Sequence, residues 1–207
     1  MRQRKVKNLD EKLNSVSAYA VDDPAASRGR WKEVFGNDRP LRCELGSGKG
    51  RFLTEMAKAH PDINFIGAEG QLSVVLKALE KAQEAGLANV RFITGYVNDM
   101  DAVFAPGEIE AVYLNFSDPW PKDRHAKRRL THRARLAKYM EALCPGGTIE
   151  FRTDNDALFD FSLEEAEALG LRVAEVSRDF VSDISTEYEL KFREAGVKIN
   201  RLLIIKE

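Results

Sequence analysis

Hydrophobic residues follow two alternating patterns from residue 41 onward. Short apolar runs of strand length are followed by stretches in which apolar residues recur at helical spacing. This alternation is typical of βα units, whose strands form a mostly parallel sheet with helices on both faces. The pattern therefore predicts a doubly wound α/β fold. The seven expected strands lie near 41–45, 63–68, 90–95, 111–116, 147–152, 171–178 and 199–206.

Two helices are predicted in most detail. The first spans residues 51–60 and ends before Pro61, because the residue that precedes a proline disfavours helical geometry. The second begins after Gln71 and ends near Gly86. The predicted inward faces consist of Phe52, Leu53, Met56 and Ala57 in the first helix and Leu72, Val75, Leu76 and Leu79 in the second.

The two ends of the chain depart from this alternation. No helix is predicted between the last two strands, so we expect them to pair antiparallel across an insertion at residues 179–198. Residues 1–38 show little periodicity and are expected to form an N-terminal extension, partly flexible and packed loosely outside the sheet. The length suits one domain with a sizeable core, so residues 1–207 are expected to form a single domain.

Composition limits the compartment and the partners. The formal charge of -1 argues against a uniformly basic nucleic-acid binder, yet eight Lys or Arg residues and one acid lie between Lys122 and Lys138. Cys43 and Cys144 lie far apart without CxxC spacing, so neither a disulfide framework nor a zinc site is predicted. No apolar run approaches the length of a membrane span. A cytoplasmic protein without a membrane partner is expected.

Residues 115–129 contain the densest candidate chemistry. Asn115-Phe116-Ser117-Asp118-Pro119-Trp120 ends an apolar run with a carboxylate and an aromatic ring, and a block of positive charge follows. This order indicates a reacting group beside a phosphate-binding surface, as in an enzyme that acts on nucleic acid. Asp118-Pro119 would also suit a plain turn at a strand end. Trp120 either stacks on a base or is a structural residue between two prolines, and both interpretations stay open.

The basic residues of this region recur at helical spacing. Arg124, Arg128, His132 and Arg135 are predicted to lie along one side of a helix, facing an RNA backbone. The opposite side would consist of Leu130, Ala134, Ala137 and Met140. A solvated surface helix is the alternative interpretation.

A second motif, Glu44-Leu45-Gly46-Ser47-Gly48-Lys49-Gly50, closes the first of these strands. Its glycines would allow a sharp turn and the close approach of a ligand to the backbone. A dinucleotide site would need a small residue where Arg51 stands, and a Walker phosphate loop would need Ser or Thr in place of Gly50.

The acids near this motif favour a cationic ligand. Glu44 would repel a pyrophosphate but suits a positively charged ligand such as S-adenosylmethionine. Glu69 ends the second strand and is the acid expected to accept hydrogen bonds from ribose hydroxyls. A simple turn with Glu69 as a helix cap is the alternative. Asp154 and Asn155 follow the fifth strand and would equally serve as helix N-caps.

With these motifs, the chain resembles the bacterial tRNA (guanine-N7-)-methyltransferase family over almost its whole length. The resemblance implies a Rossmann-like class I methyltransferase fold, S-adenosyl-L-methionine as cofactor, and tRNA as partner, methylated at N7 of the variable-loop guanosine. It implies no obligate protein partner and leaves monomer and homodimer open. The matching segments are Gly29-Arg30-Trp31, residues 44–50, Gly67-Ala68-Glu69, residues 115–122, residues 124–130, Arg152-Thr153-Asp154-Asn155, residues 186–189 and Lys191-Phe192.

The same resemblance implies a role for individual residues. Asp118 would be catalytic, at the junction of cofactor and target base. The cofactor-binding residues would be Glu44, Gly46, Gly48, Gly50, Glu69, Tyr96 and Asp118. The substrate-binding residues would be Lys122, Arg124, His125, Lys127, Arg128, Arg129, Asp154, Thr186, Glu187, Tyr188 and Glu189.

Tyr96 marks a departure from the resemblance. It stands where many family members have an acid close to the cofactor's adenine, and Asn98 or Asp99 is the alternative contact.

Two rival functions remain at this point. One is a methyltransferase with a different substrate, and the basic block argues against a small molecule in that role. The other is an RNA-binding protein whose cofactor site has decayed. The presence of Glu44, Glu69 and Asp118 argues against decay.

Overall fold

The computed structural model describes residues 6–207, and its centre is one eight-stranded sheet with helices on both faces. Two short 3₁₀ helices span Ser17–Tyr19 and Asp123–Arg128. The strands are β1 (Ala20–Val21), β2 (Leu41–Leu45), β3 (Asn64–Ala68), β4 (Val90–Ile93), β5 (Ile109–Asn115), β6 (Leu143–Thr153), β7 (Arg172–Ser177) and β8 (Asn200–Ile205). The α-helices are α1 (Leu9–Ser15), α2 (Trp31–Phe35), α3 (Arg51–Ala59), α4 (Leu72–Glu84), α5 (Arg133–Ala142), α6 (Asp156–Ala168) and α7 (Glu187–Glu194).

The strand order explains where a ligand site can form. The order is β1-β4-β3-β2-β5-β6-β8-β7, and β8 runs antiparallel to both of its neighbours while the other pairs are parallel. The chain winds outward from β2 through β3 and β4, then returns to β5 on the other side of β2. Such a reversal leaves a crevice at the carboxyl ends of the two central strands. The predicted parallel sheet with an antiparallel last strand is confirmed.

Two hydrophobic clusters cover the two faces of the sheet. Successive strand residues point to opposite faces, so Phe65 packs in one cluster and Ile66 in the other. The inward face predicted for α3 is confirmed. Leu72 does not belong to the inward face predicted for α4, because it is the first residue of the helix and is 42% exposed. The other three predicted residues, Val75, Leu76 and Leu79, are fully buried.

The N-terminal extension packs more tightly than expected. β1 (Ala20–Val21) adds one strand to the seven predicted and pairs parallel with β4. The Trp31 side chain is 2% exposed. The indole nitrogen of Trp31 donates a hydrogen bond to the carbonyl of Val103 at 3.1 Å. A strand of two residues is too short to produce a periodic pattern, so the sequence did not reveal it. Residues 1–5 of the extension lie outside the described range.

The insertion before the last strand contains a helix that was not predicted. β7 pairs antiparallel with β8, as expected, and α7 lies between them along the chain. Its only fully buried residue is the charged Glu189, so the helix lacks the apolar stripe that would identify it. Within residues 6–207, none of the helices has the length and apolar character needed to cross a membrane.

Candidate functional site

A cavity of about 640 Å³ opens at the carboxyl ends of β2 and β5, where the strand order reverses. One side consists of residues 44–49 and 69–71, and the next consists of residues 96–98, residues 115–118 and Trp120. Side chains of α5 and α7 complete the wall. The predicted site residues that line the cavity are Glu44, Gly46, Gly48, Glu69, Tyr96, Asp118, Arg128, Thr186, Glu187 and Tyr188.

Glu44 is a buried carboxylate in the cavity floor. Its side chain lies at the end of β2 and is 2% exposed. The amide nitrogen of Asn115 donates to Oε1 of Glu44 at 2.8 Å, while Oε2 has no hydrogen-bond partner among the described residues. Burial raises the pKa of Glu44 to about 8, opposed by the Asn115 hydrogen bond and the charge of Arg152. A positively charged ligand group would supply the missing partner.

The glycine loop and Glu69 form a pre-organised edge beside Glu44. The backbone N–H of Gly48 donates to Oε2 of Glu69 at 3.2 Å, and that of Gln71 donates to Oε1 at 2.9 Å. Gly46 and Gly48 have φ values of +81° and +56°, and a Cβ at either would meet no atom within 4 Å. These two glycines therefore leave open space next to a fixed carboxylate.

Gly50 has a different role from the one predicted. It does not line the cavity but precedes α3 with φ of +75°. A Cβ there would lie 2.5 Å from the Cβ of Ala78 on α4. Gly50 therefore permits close packing of two helices, and this packing accounts for the glycine without a ligand contact.

The segment that carries Asp118 leaves β5 in an unusual conformation. Phe116 and Trp120 have positive φ values of 51° and 42°, which cost about 1–3 kcal/mol each in a residue other than glycine. The N–H of Phe116 bonds to the carbonyl of Arg152 at 2.9 Å, which anchors the segment to β6. Asp118 projects into the cavity and is exposed. Backbone strain of this kind is concentrated at functional sites, which favours a functional role for the segment over a plain strand-ending turn.

Trp120 lines the cavity and also contacts its own chain. The guanidinium of Arg128 lies 4.8 Å from the centre of the Trp120 ring, and His125 packs edge-on at 5.8 Å. The ring is half-buried. Neither of the two interpretations of Trp120 is excluded, because a ring supported in this way still presents surface to the cavity.

The basic segment is not the single helix that its spacing predicts. Residues 123–128 form a 3₁₀ helix, the backbone is extended at Arg129 and His132, and α5 begins only at Arg133. The Nε and Nη2 atoms of Arg129 donate to the Trp120 carbonyl at 3.3 and 3.0 Å, and its guanidinium lies 4.3 Å from the Phe161 ring centre. These contacts close the turn. The apolar side predicted for this helix is confirmed only in part. Leu130 and Met140 pack half-buried against the core, whereas Ala134 is exposed and the buried residues of α5 are Leu136, Tyr139 and Ala142.

The predicted RNA-binding role of Arg129 therefore does not fit the structure. Its side chain is 9% exposed, and its guanidinium donates hydrogen bonds within the chain. The remaining predicted basic residues stay at the surface. Lys122, Arg124 and Lys127 are exposed outside the cavity, and Arg128 is exposed at its edge.

Thr186 and Glu189 build the start of α7. The hydroxyl oxygen of Thr186 accepts from the N–H of Glu189 at 3.0 Å, which caps the helix. The Glu189 carboxylate is fully buried, 3.3 Å from Nη1 of Arg152 and 3.0 Å from Nη2 of Arg193. Glu189 is therefore corrected from substrate contact to structural ion pair, because no part of its side chain is accessible.

Glu187 and Tyr188 face the cavity from the same helix. Glu187 is tied to α4 by an ion pair with Lys81 at 2.6 Å, and Tyr188 is 61% exposed. On the opposite wall, a Cβ at Gly70 would lie 2.1 Å from the ring of Tyr96, so that ring lies directly against the backbone after Glu69. Tyr96 is 71% exposed.

Asp154 and Asn155 behave differently from each other. The side-chain oxygen of Asn155 accepts from the N–H of Leu158 at 2.8 Å and caps α6, which confirms the N-cap interpretation for Asn155. Asp154 is half-buried next to this cap and lies outside the cavity lining.

Several cavity residues were not selected from the sequence. Asn115 had a usable signal, since it is a polar residue at the end of an apolar strand. In the sequence, Phe52, Arg135 and Lys191 were noted only as part of a core face, a basic face and a matching segment. Their meeting at the cavity depends on three helices that come together only in the folded chain.

Comparisons with known proteins agree with this geometry. A family model described as a putative methyltransferase matches residues 38–202. The chain is 47% identical to the tRNA (guanine-N(7)-)-methyltransferase of Geobacillus kaustophilus, over 97% of this chain and 95% of that protein. It is 48% identical to the enzyme of the same name from Geobacillus thermodenitrificans, with the same coverage.

A solved structure shows the same fold at low sequence identity. The 16S rRNA methyltransferase KamB superposes with a TM-score of 0.67 over 86% of this chain and 93% of that chain, at 10% identity. At this identity the likeness concerns the fold alone.

Proposed function

This chain belongs to the tRNA (guanine-N7-)-methyltransferase family, and we propose that it performs the reaction of that family in the cavity between β2 and β5. It is an S-adenosylmethionine-dependent methyltransferase that acts on N7 of guanosine in tRNA. The observation that carries the proposal is the meeting of Glu44, Glu69 and Asp118 in one cavity. The target is the variable-loop guanosine, and the enzyme works in the cytoplasm as a monomer or homodimer.

The cavity residues fit S-adenosylmethionine. The buried Oε2 atom of Glu44 has no hydrogen-bond partner in the described chain and suits a cationic group. Glu69 would accept from the ribose hydroxyls, and the open faces of Gly46 and Gly48 allow close approach. Tyr96 would contact the adenine end from beside Gly70.

The chemistry places few demands on this chain beyond positioning. When bound, S-adenosylmethionine supplies an electrophilic methyl group on a positively charged sulfur. Guanine N7 has an in-plane lone pair and no proton, so no general base is needed before attack, and orientation dominates. Positive charge passes to the purine as the bond forms. Asp118 would stabilise that charge and accept hydrogen bonds from the guanine N1–H and amino group.

The tRNA would approach the side of the cavity that carries the exposed basic residues. We assign the backbone contacts to Lys122, Arg124, Lys127 and Arg128, with His125 adding a donor at the edge of Trp120. Thr186, Glu187 and Tyr188 would border the bound nucleotide across the cavity. Asp154 would contact the tRNA outside the cavity.

Methyl transfer to defined transcripts tests the proposal. We expect labelled S-adenosylmethionine to yield 7-methylguanosine in a tRNA transcript, and none when the variable-loop guanosine is replaced by adenosine. Transfer to both transcripts would retain the enzyme class but move the target. Cofactor binding without methyl transfer to either transcript would support a methyltransferase with another substrate. Absence of both cofactor binding and methyl transfer would support an RNA-binding protein with a decayed cofactor site.

Cofactor affinity is expected to rise with pH. Because the pKa of Glu44 is about 8 in the free enzyme, this carboxyl is mostly protonated at neutral pH. A cationic ligand binds the ionised form, so binding releases a proton below about pH 8, where affinity should rise by up to about tenfold per pH unit. Calorimetry in buffers of different ionisation enthalpy would measure the released proton. Glu44→Gln should abolish this proton release and the pH dependence of cofactor affinity that follows from it. Equal proton release by wild type and Glu44→Gln would contradict the assignment to Glu44.

Removal of exposed positive charge should weaken tRNA binding without altering cofactor binding. Arg124→Gln with Lys127→Gln is expected to lower the slope of log affinity against log salt concentration by about 1 for each phosphate that the variant no longer neutralises. Lys58→Gln, an exposed lysine on α3 outside the cavity, is the matched control. Filter binding over a salt series measures the slope. Unchanged slopes in the double variant would disprove this RNA-binding surface.

A further inference from the structure

Three cations lie on α5, and only two of them have an acidic partner among residues 6–207. Arg133 pairs with Glu165 at 2.6 Å, and Lys138 pairs with Asp101 at 2.7 Å. Arg135 lies between them along the helix, forms no ion pair with a described carboxylate, and is the one that lines the cavity. Within residues 6–207, the cavity thus has one half-buried guanidinium that forms no ion pair.

Arg135 lies beside a buried phenol. Tyr139, one turn later on α5, is 1% exposed, and its hydroxyl has no hydrogen bond of good geometry in the described chain. Burial raises the pKa of Tyr139, and the positive charge of the adjacent Arg135 opposes the rise. A phenol engages at most part of a guanidinium, which carries several N–H donors in a planar fork. Arg135 itself lines the cavity.

We propose that Arg135 binds an oxyanion of a bound reactant. Arg135 is half-buried at the cavity wall, and a guanidinium that loses part of its hydration gains from an anion that accepts its hydrogen bonds. Its planar fork matches a carboxylate or a phosphate. The proposal rests on the proposed function, which brings two such groups into the cavity. They are the α-carboxylate of S-adenosylmethionine and a phosphate beside the target guanosine.

Arg135→Met tests the proposal, because it removes the charge and retains most of the length. Arg133→Met is the matched control, two residues earlier on the same helix and outside the cavity. Arg135→Lys keeps the charge without the fork and should fall between wild type and Arg135→Met. Urea unfolding of each variant checks that the fold is retained, and the Lys variant stands in if Arg135→Met does not fold.

The first arm measures Kd for S-adenosylmethionine and for its decarboxylated analogue by calorimetry. If the carboxylate is the oxyanion, wild type should prefer S-adenosylmethionine by about tenfold or more, and Arg135→Met should lose that preference. The second arm measures KM for tRNA over a salt series. If a phosphate is the oxyanion, Arg135→Met should raise KM by about tenfold, lower the salt slope by about 1, and leave cofactor Kd unchanged.

Unchanged values in both arms, or equal losses in Arg133→Met, would overturn the proposal. Both arms compare variants with wild type, so they remain informative if the methylated atom differs from N7. Absence of 7-methylguanosine with wild type would instead overturn the proposed function.

Discussion

Asp118→Ala is expected to lower kcat by about 100- to 1000-fold while Kd for S-adenosylmethionine changes little. Asp118 is exposed within the cavity on a segment of strained backbone, and in the proposed reaction it would lie next to the place where charge develops on the purine. Loss of one pre-organised electrostatic group at a reacting centre has an effect of this size. Single-turnover kinetics with saturating tRNA would measure the chemical step, and calorimetry would measure cofactor affinity.

A neighbouring carboxylate provides the control for this experiment. Asp123 is exposed in the 3₁₀ helix that follows and does not line the cavity, so Asp123→Ala should retain kcat. Asp118→Asn keeps the size of the side chain and one acceptor, and its kcat should be intermediate. Equal losses of kcat and cofactor affinity in Asp118→Ala would assign Asp118 to the cofactor instead.

Glu189→Gln should lower the free energy of unfolding by about 3 kcal/mol. The substitution leaves Arg152 and Arg193 without the buried carboxylate that they share. Breaking a buried pair by removing one partner typically costs about 3–5 kcal/mol. The lower value applies because Arg152 retains its ion pair with Glu150, at 2.5 Å. Urea denaturation would measure the change.

Glu194→Gln is the matched control, since Glu194 ends α7 at the exposed surface. Its effect should stay within about 0.5 kcal/mol. A Glu189→Gln protein of unchanged stability that no longer methylates tRNA would contradict the structural role and restore the substrate-binding role implied by family resemblance.

The same ion pair shows why some site residues cannot be assigned from a motif alone. The spacing from Thr186 to Glu189 resembles a helix capping box, and Thr186 does cap α7. The Glu189 side chain, however, turns away from the cap toward Arg152, which β6 supplies from a distant part of the chain. Local spacing cannot encode that choice, because it depends on which strand lies beneath the helix.

The basic segment shows the same limit. Arg124, Arg128, His132 and Arg135 have helical spacing, but the turn closed by Arg129 separates the first two from the last two. The carbonyl that Arg129 reaches belongs to Trp120, whose own conformation depends on the strained exit from β5. Periodicity detects a face only where one helix is continuous.

By itself, the sequence determined the alternation of strands and helices, the carboxylates at strand ends, and the glycine loop between β2 and α3. These features are local, since each follows from side-chain period or from the backbone needs of one turn. Only the tertiary structure decided that Ala20–Val21 extends the sheet, that Glu189 is buried, and that Arg135 lines the cavity without an ion pair to a described residue. Those outcomes depend on which distant elements pack together, and burial and charge compensation are properties of that packing.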